Sequence, residues 1–262
     1  LGATFVRDIE PGELVVVEDG ELRSMKCNIS CDHTTCVFEY IYFARPDSVV
    51  DGASVAFARQ EAGRYLAEEY PVEADVVVGV PDSGIPAAIG YSKASGIPYD
   101  VGLIKNKYIG RTFIQPGQDK RERSVRIKLN ALRNNLEGKR VILVDDSIVR
   151  GTTCARLVKI LKDAGAKEVH MRISSPPFLH PCFFGTDVPD REYLIAYGRT
   201  VEEIRELIGV DSLGYLSLEA TNKIAVGATC GFCNGCFSGK YPIEVPDTVE
   251  KNIFESGIGE NG

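Results

Sequence analysis

The chain has 262 residues, of which 44% are hydrophobic, and a formal net charge of −7. This length and composition can bury a sizeable core, so we expect a globular protein. The longest apolar runs are a few residues, far short of the roughly 20 that a membrane-spanning helix needs. The acidic balance gives no general attraction to nucleic acid or to anionic membranes, so neither is predicted as a partner.

Eight cysteines are spread along the sequence. In a short secreted protein that number would indicate a disulfide scaffold, but a chain with its own hydrophobic core needs no such bridges. We therefore expect free or metal-ligating thiols in a reducing compartment, the cytoplasm.

The predicted elements begin with a short strand, Leu14 to Val17, between the turns Pro11-Gly12 and Asp19-Gly20. A helix from Ser54 to Glu69 follows and is stopped by Pro71. Buried strands are predicted at 76–80, 99–104, 141–144 and 169–173, and helices at 85–94, 152–164 and 200–208. Alternating strands and helices with short connections predict a parallel sheet covered on both faces, that is, a doubly wound α/β fold.

A long connection, about residues 105–138, separates two halves of this predicted sheet. Loops of that length inside a compact domain are more often functional lids than structureless segments. Residues 105–128 contain only two acidic residues, Asp119 and Glu122. The same segment contains eight basic residues: Lys105, Lys107, Arg111, Lys120, Arg121, Arg123, Arg126 and Lys128. A solvated surface segment is the alternative. In an acidic chain, however, the local excess indicates a bound anion.

Residues 141–153 combine a buried strand, two adjacent acids, a short loop and the start of a helix. Ligands of open α/β sheets bind where such loops leave the carboxyl ends of strands. Backbone N–H groups at the helix start, with the hydroxyls of Thr152 and Thr153, can hold a phosphate group. Asp145 and Asp146 can accept hydrogen bonds from sugar hydroxyls or position a hydrated magnesium ion. The motif predicts a ribose phosphate site.

The segment Val144 to Thr153 resembles the phosphoribosyl pyrophosphate loop of the type I phosphoribosyltransferases. Residues 36–48, 80–86, 107–114 and 239–242 further resemble the amidophosphoribosyltransferase family, in that family's order. The resemblance covers about residues 1–245. It implies a type I phosphoribosyltransferase fold with a small Cys-rich C-terminal segment. The implied domains are a glutaminase remnant with linker (1–22), the phosphoribosyltransferase domain (23–225) and the Cys-rich segment with a tail (226–262).

The resemblance also assigns roles to residues of two loops and the lid. It places Ser83, Asp145 and Asp146 near magnesium. The implied pyrophosphate loop consists of Pro81, Asp82, Ser83 and Gly84, and the implied 5′-phosphate cradle of Ser147, Ile148, Val149, Arg150, Gly151, Thr152 and Thr153. Lys105, Tyr108, Arg111 and Lys128 fall on the segment that orders over the substrate. The implied catalytic residues are Asp145, Asp146, Lys105, Tyr108 and Arg111.

The implied reaction displaces pyrophosphate from 5-phosphoribosyl 1-pyrophosphate with ammonia and gives 5-phosphoribosylamine, the first step of de novo purine synthesis. In the intact enzyme of this family a glutaminase domain supplies the ammonia from glutamine. The resemblance implies only a remnant of that domain in residues 1–22, so we expect these 262 residues to use ammonia directly. Purine nucleotides are implied as inhibitors, and a homo-oligomer, dimer or tetramer, is expected. A regulator that binds the same substrate without turnover, and an iron-sulfur electron carrier, are the alternatives.

Four cysteines are candidate ligands of a metal centre: Cys36, Cys182, Cys233 and Cys236. Four thiolates suffice for an iron-sulfur cluster or a zinc ion, and the Cys-x-x-Cys spacing fits both. The resemblance implies a [4Fe-4S] cluster with a structural or oxygen-sensing role. Cys230 is left without a role. Cys27 and Cys31 are expected to be free thiols, and the three histidines, His33, His170 and His180, are expected to be structural.

Overall fold

The computed structural model describes residues 2–26, 32–106, 129–186 and 191–245. In these residues, no helix is long and apolar enough to cross a membrane. The strands are β1 (Glu13–Glu18), β2 (Glu21–Lys26), β3 (Thr34–Cys36), β4 (Val49–Val50), β5 (Ala53–Ser54), β6 (Val76–Gly79), β7 (Leu103–Lys105), β8 (Leu129–Ala131), β9 (Arg140–Asp145), β10 (Glu168–Ile173), β11 (Ser212–Tyr215) and β12 (Gly231–Cys233). The helices are α1 (Val55–Glu69), α2 (Ile85–Ser95), α3 (Arg133–Leu136), α4 (Thr152–Asp163), α5 (Val201–Ile208), α6 (Leu218–Thr221) and α7 (Gly235–Ser238), with a π-helix at Glu39–Phe43 and a 3₁₀ turn at Arg191–Tyr193.

The central sheet has four parallel strands in the order β11, β10, β9, β6. Beyond β6, Tyr99 forms a parallel bridge with Val77 and extends the sheet by one short segment. The segment that follows β6 in the chain, at Tyr99, is added on one side of β6. The strands that follow β9, namely β10 and β11, are added on the other side of the sheet. Such a reversal is a topological switch point, and open α/β sheets bind ligands in the crevice beyond the carboxyl ends of the strands there.

Helices cover both faces of the central sheet. Alternate residues of a strand point to opposite faces. Val77, Ile142 and Val144 lie in one buried cluster with residues of α1 and α2. Val78 and Leu143 lie in a second buried cluster with residues of α4 and α5. Burial on both faces explains why these strands read as continuous apolar runs, and it confirms the predicted doubly wound α/β fold.

Helices α1 and α2 pack backbone against backbone. A Cβ atom added at Gly63 would lie 1.8 Å from the carbonyl oxygen of Ala87, and one added at Gly90 would lie 1.9 Å from that of Gln60. Only glycine permits this approach, since real Cβ atoms do not come that close to backbone atoms. The two helices thus form one closely packed layer over the sheet.

Two predicted elements differ from the structure. The first strand was expected alone, but β1 pairs with β2 in a hairpin through Asp19 and Gly20, whose φ angles are 50° and 82°. Asp-Gly is the preferred sequence for two-residue hairpin turns of this kind. The polar sequence of β2 gave no strand signal of its own.

The predicted strand at 99–104 is wrong in its extent. After Tyr99 the chain leaves the sheet, and Leu103–Lys105 pairs antiparallel with Leu129–Ala131. The side-chain amide of Asn135 donates to Asp100 Oδ1 at 3.1 Å and to the carbonyl of Val101 at 2.9 Å. These hydrogen bonds hold residues 100 and 101 against α3. Residues 107–128 of the predicted lid lie outside the described residues.

Candidate functional site

The loop after β9 carries the two predicted acids, Asp145 and Asp146, and leads to α4. Both carboxylates are buried, and the backbone N–H of Asp146 donates to Asp145 Oδ1 at 2.9 Å. Gly151, with φ of 78°, forms the last turn before α4, and a Cβ there would lie 2.2 Å from Ile195 Cδ1. The N–H of Ile195 also donates to the carbonyl of Val149 at 2.9 Å. Ile195 therefore packs against the loop with both its backbone and its side chain.

The loop after β6 approaches the same place. Val80 donates its N–H to the carbonyl of Val144, and Gly84 donates to the carbonyl of Val80, both at 2.9 Å. A Cβ at Gly84 would lie 2.4 Å from the carbonyl oxygen of Val144, so glycine is needed for this contact. Ser83 Oγ then donates to Asp146 Oδ1 at 2.6 Å, across 63 positions of sequence. The two loops predicted to bind one ligand do meet at the switch point.

A lysine from the base of the predicted lid reaches this pair of loops. Lys105 Nζ lies 2.6 Å from Asp82 Oδ2, and the two side chains are 49% and 73% exposed. Exposed ion pairs of this kind contribute little to stability because water and salt screen them. The pair instead places an accessible cation beside the loop predicted to receive pyrophosphate.

Burial sets the electrostatics of the acid pair. Burial and then the adjacent charge of Asp146 hold the pKa of Asp145 well above its ordinary value. Two carboxylates that are both ionised in this position repel each other, so an external positive charge or hydroxyl donors would stabilise them. Their oxygens, with Ser83 Oγ, are the hard donors that magnesium prefers. The donor set fits a hydrated magnesium ion.

The predicted phosphate cradle divides into two kinds of residue. Arg150, Thr152 and Thr153 are exposed, Ser147 is half-buried, and Gly151 is buried. The side chain of Ile148 is buried in the cluster that contains Leu143, and that of Val149 packs against the cluster that contains Ile142, so these two residues can offer a ligand only backbone groups. Tyr108, Arg111 and Lys128 lie outside the described residues, and their assignments stay predictions.

The four predicted metal-ligating cysteines come together from separate parts of the chain. β12 pairs parallel with β3 so that Cys233 lies opposite Cys36. The backbone N–H groups of Leu179 and His180 both donate to the carbonyl of Cys236 at 3.0 Å, which brings the segment before Cys182 onto α7. All four thiols are free and half-buried.

Two of the four thiols have pKa values that burial and other members of the group raise. Burial raises the pKa of Cys236, and the thiols of Cys36, Cys182 and Cys233 each raise it further. Burial likewise raises the pKa of Cys36, with smaller contributions from Cys233 and Cys182. Burial and mutual repulsion disfavour the thiolate forms, and a bound metal ion would favour them, so the donor set fits a cysteine-ligated metal centre.

Two further arrangements were missed from the sequence. Arg59, expected only as part of a helix, is buried and donates to the carbonyls of Tyr40, Tyr42 and Ala44 at 2.7–3.0 Å. Its position among the apolar residues of α1 could have predicted this burial. A buried arginine needs hydrogen-bond acceptors, which here are backbone carbonyls. The second arrangement brings Cys230 together with His33 and Asp51. Cys27 and Cys31 lie outside the described residues.

Comparison with known proteins identifies the domain that holds the switch-point site. Residues 52–174 match the family described as phosphoribosyl transferase domain. This range contains both loops and the acid pair. Residues 52–174 form a phosphoribosyl transferase domain.

Relatives of the phosphoribosyl transferase domain extend the match to almost the whole chain. The amidophosphoribosyltransferase of Archaeoglobus fulgidus is 58% identical over 248 residues, which are 94% of this chain and 54% of the relative. That of Bacillus subtilis is 53% identical, over 98% of this chain and 55% of the relative. The chain therefore spans about half the length of the curated relatives it matches. The resemblance inferred from its motifs is confirmed.

Solved structures agree on the fold around the phosphoribosyl transferase domain. The glutamine phosphoribosylpyrophosphate amidotransferase of B. subtilis, complexed with ADP and GMP, superposes with a TM-score of 0.82 at 55% identity. It matches 95% of this chain and 56% of that structure. A structure described as the allosteric regulatory enzyme of purine biosynthesis gives the same TM-score at 54% identity. The predicted type I phosphoribosyltransferase fold is confirmed.

Proposed function

We propose that this chain transfers the phosphoribosyl group of 5-phosphoribosyl 1-pyrophosphate to ammonia, releasing pyrophosphate and forming 5-phosphoribosylamine. The observation that carries the proposal is the 2.6 Å hydrogen bond from Ser83 to Asp146. It joins a loop suited to pyrophosphate to a loop suited to ribose phosphate at the switch point of the sheet. The names of the relatives support the same reaction.

The loop between β9 and α4 is suited to the sugar phosphate end of this substrate. The first turn of the 12-residue helix α4 has N–H groups that no preceding turn satisfies, and these favour a phosphate. The exposed hydroxyls of Thr152 and Thr153 stand beside them. Asp145 and Asp146 precede the cradle, and in this proposal they accept hydrogen bonds from the ribose hydroxyls.

The loop between β6 and α2 is suited to the pyrophosphate end. Lys105 lies at its rim and can exchange its contact with Asp82 for a phosphate oxygen, because the present pair is exposed and weak. Magnesium held by Ser83, Asp145 and Asp146 would neutralise charge on the departing pyrophosphate. The resemblance supports Tyr108, Arg111 and Lys128 as further residues that cover the leaving group.

The chemical step needs charge stabilisation more than proton transfer. The C1–O bond breaks, pyrophosphate leaves with the bonding electrons, and positive charge develops on the sugar. The carboxylates of Asp145 and Asp146 stabilise that positive charge, which is present only in the transition state. Neutral ammonia attacks C1, forms the C–N bond and releases a proton to solvent. No general base is required, which agrees with a site that has no histidine among its described residues.

We further propose that Cys36, Cys182, Cys233 and Cys236 hold a [4Fe-4S] cluster, with zinc as the alternative ion. Its role would be structural, since the ligands connect β3, α7 and the segment around Cys182. An electron carrier is disfavoured because no flavin or nicotinamide motif accompanies these residues. Visible absorption of anaerobically purified protein, with assays for iron and sulfide, distinguishes the cluster from zinc.

The proposal includes partners that the relatives suggest. The B. subtilis structure is complexed with ADP and GMP, and purine nucleotides are proposed as inhibitors of this chain. The relatives are nearly twice as long, and their additional length is proposed to include a glutaminase domain that supplies ammonia. A homo-oligomer and a cytoplasmic location belong to the same proposal.

The test is pyrophosphate release on mixing the chain with the substrate, magnesium and an ammonium salt at alkaline pH. Replacing both Asp145 and Asp146 by Asn is expected to lower turnover by at least ~100-fold, because the charge that stabilises the transition state is lost. Asp163→Asn, on the far end of α4, removes a carboxylate outside the site and serves as the control. Unchanged turnover in the double variant contradicts the proposal, and substrate binding without pyrophosphate release in the unaltered chain favours a binding-only regulator.

A further inference from the structure

Three donor groups of different kinds converge on one side of the β3–β12 pair, outside both sites described above. They are the imidazole of His33, the carboxylate of Asp51 and the thiol of Cys230. One ligand atom from each lies within 4.8 Å of the other two, and His33 Nε2 lies 3.4 Å from Asp51 Oδ1. None of the three belongs to the four-thiol cluster or to the switch-point loops.

We propose that His33, Asp51 and Cys230 form a second metal site, selective for a divalent transition metal ion such as zinc. Zinc binds imidazole, carboxylate and thiolate at about 2.0–2.3 Å, so two ligands of a tetrahedral ion are roughly 3.3–3.6 Å apart. The separation of His33 Nε2 from Asp51 Oδ1 falls in that range. A thiolate and an imidazole are poor ligands for calcium or magnesium, which select oxygen.

The backbone fixes the positions of all three ligands. Thr34 and Gly231 are partners in the parallel pairing of β3 with β12, so His33 and Cys230 each stand one residue before that pair. The N–H of Gly231 donates to the carbonyl of His33 at 3.0 Å. Asp51 occupies the turn between β4 and β5, and the N–H of Thr229 donates to its carbonyl at 3.1 Å. The ligands are thus brought together by hydrogen bonds that do not depend on a metal.

The carboxylate of Asp51 is oriented in the manner of a metal ligand. Thr35 Oγ1 donates to Asp51 Oδ2, which leaves Oδ1 directed at His33. Hydrogen-bond donors of this kind, which do not touch the metal but hold a coordinating carboxylate in place, are a regular feature of protein metal sites. Asp51 and Gly52 have φ angles of 44° and 86°, the positive values that two-residue hairpin turns of type I′ require.

A simple ion pair between His33 and Asp51 accounts for less of this arrangement. A separation of 3.4 Å is longer than the usual 2.7–3.2 Å of an N–H···O hydrogen bond. Such a pair also gives no reason for a thiol to lie beside it. The side chain of His33 is 55% exposed, so an ion would have access from solvent and water could fill a fourth position.

Metal binding here would have a consequence for the neighbouring cluster. Cys36 and Cys233 follow His33 and Cys230 by three residues each, on the same two strands. An ion at the start of the strand pair would hold the two strands together at the end opposite to the cluster ligands. We therefore expect the ion to slow loss of iron from the protein.

The experiment uses the intact chain, purified anaerobically with iron in place so that the other thiols are occupied. Zinc(II) is titrated by competition with a chromophoric chelator, and cobalt(II) is used in parallel because a cobalt-thiolate bond gives a charge-transfer absorption. The unaltered chain should bind one zinc per chain beyond its iron. His33→Ala, Asp51→Asn and Cys230→Ser should each lower zinc affinity by more than ~100-fold, and Thr35→Val by about 10- to 100-fold.

Asp32→Asn is the matched control, since it removes the same charge one residue from His33 and leaves the three donors intact. It should bind zinc as the unaltered chain does, and every variant should retain its iron, which confirms that β3 and β12 still pair. Cys230→Ser should lose the cobalt charge-transfer band. Zinc affinity that survives His33→Ala and Asp51→Asn, or that falls as much in Asp32→Asn, overturns the proposal. These readouts do not involve turnover, so they stand independently of the phosphoribosyl transfer reaction.

Discussion

The switch-point site and the four-thiol cluster are assembled in opposite ways. At the switch point, each loop is continuous with a buried strand and the helix that follows it, and glycines at 84 and 151 let the loops fit their neighbours. The cluster draws Cys36, Cys182 and Cys236 from distant segments joined by two three-residue strands and a few loop hydrogen bonds. The first site is supported by the core, whereas the second has to support its own surroundings. Losing a side chain should therefore cost activity at the first and structure at the second.

The largest expected effect is on the cluster. Cys182→Ser should reduce bound iron to near zero, because three thiols do not complete the ligand set. Since binding of a structural metal contributes free energy to folding, the melting temperature should fall by several degrees and the segment from β12 onward should become sensitive to protease. Iron assays, thermal unfolding and limited proteolysis measure these changes.

Cys230→Ser is the control for that prediction, because its thiol lies outside the four-thiol cluster. In protein prepared without zinc, iron content and protease resistance near those of the unaltered chain are expected. If Cys182→Ser kept its iron, the ligand assignment would be wrong.

A smaller, mixed effect is expected at the switch point. Gly151→Ala places a Cβ 2.2 Å from Ile195 Cδ1 at a residue with φ of 78°. The left-handed backbone alone costs about 1–2 kcal/mol for a residue with a side chain. We expect the free energy of unfolding to fall by about 2 kcal/mol and substrate affinity to fall by roughly 3- to 10-fold, because the side chain of Ile195, which packs on the phosphate loop, has to move.

Gly138→Ala separates the two causes. Gly138 has φ of 73°, and an added Cβ there meets nothing within 4 Å. It should show the backbone cost in urea unfolding, with substrate affinity unchanged in a binding titration. Equal loss of affinity in both variants would argue against a role for the loop shape at Gly151.

The smallest effect on structure is expected at Lys105. Lys105→Ala removes an exposed ion pair with Asp82 and should leave the free energy of unfolding almost unchanged. The KM for the substrate should rise several-fold, since a cation beside the pyrophosphate loop is lost. The comparison is the steady-state kinetics of Lys93→Ala, which removes an exposed lysine from the last turn of α2, at the end of the helix away from the Pro81–Gly84 loop. A variant that unfolds more easily but keeps its KM would contradict this role.

The same contrast explains how much was predictable. The strands at 76–80 and 141–144 and the phosphate motif are local patterns, so the sequence identified them. The helix predicted at 200–208 is also present, and Thr200 and Glu203 form a capping box at its start. The predicted strand at 99–104 is wrong in its extent. Residues after Tyr99 hydrogen-bond to Asn135, which is distant in sequence and which the local pattern does not include. The spacing of the four cysteines in the sequence does not distinguish an iron-sulfur cluster from a zinc ion. His33 and Asp51 were not recognised, since only the β3–β12 and β4–β5 pairings bring them to Cys230.

The contact between α1 and α2 has a mechanical consequence. Because Gly63 and Gly90 seat one helix backbone on the other, the two helices cannot slide or separate without losing that fit. The loop from Pro81 to Gly84 is continuous with the start of α2, and Arg59 ties α1 to the carbonyls of residues 40–44. The wall of the crevice that carries the Pro81–Gly84 loop is therefore rigid. Any movement that closes the crevice would have to come from the opposite wall.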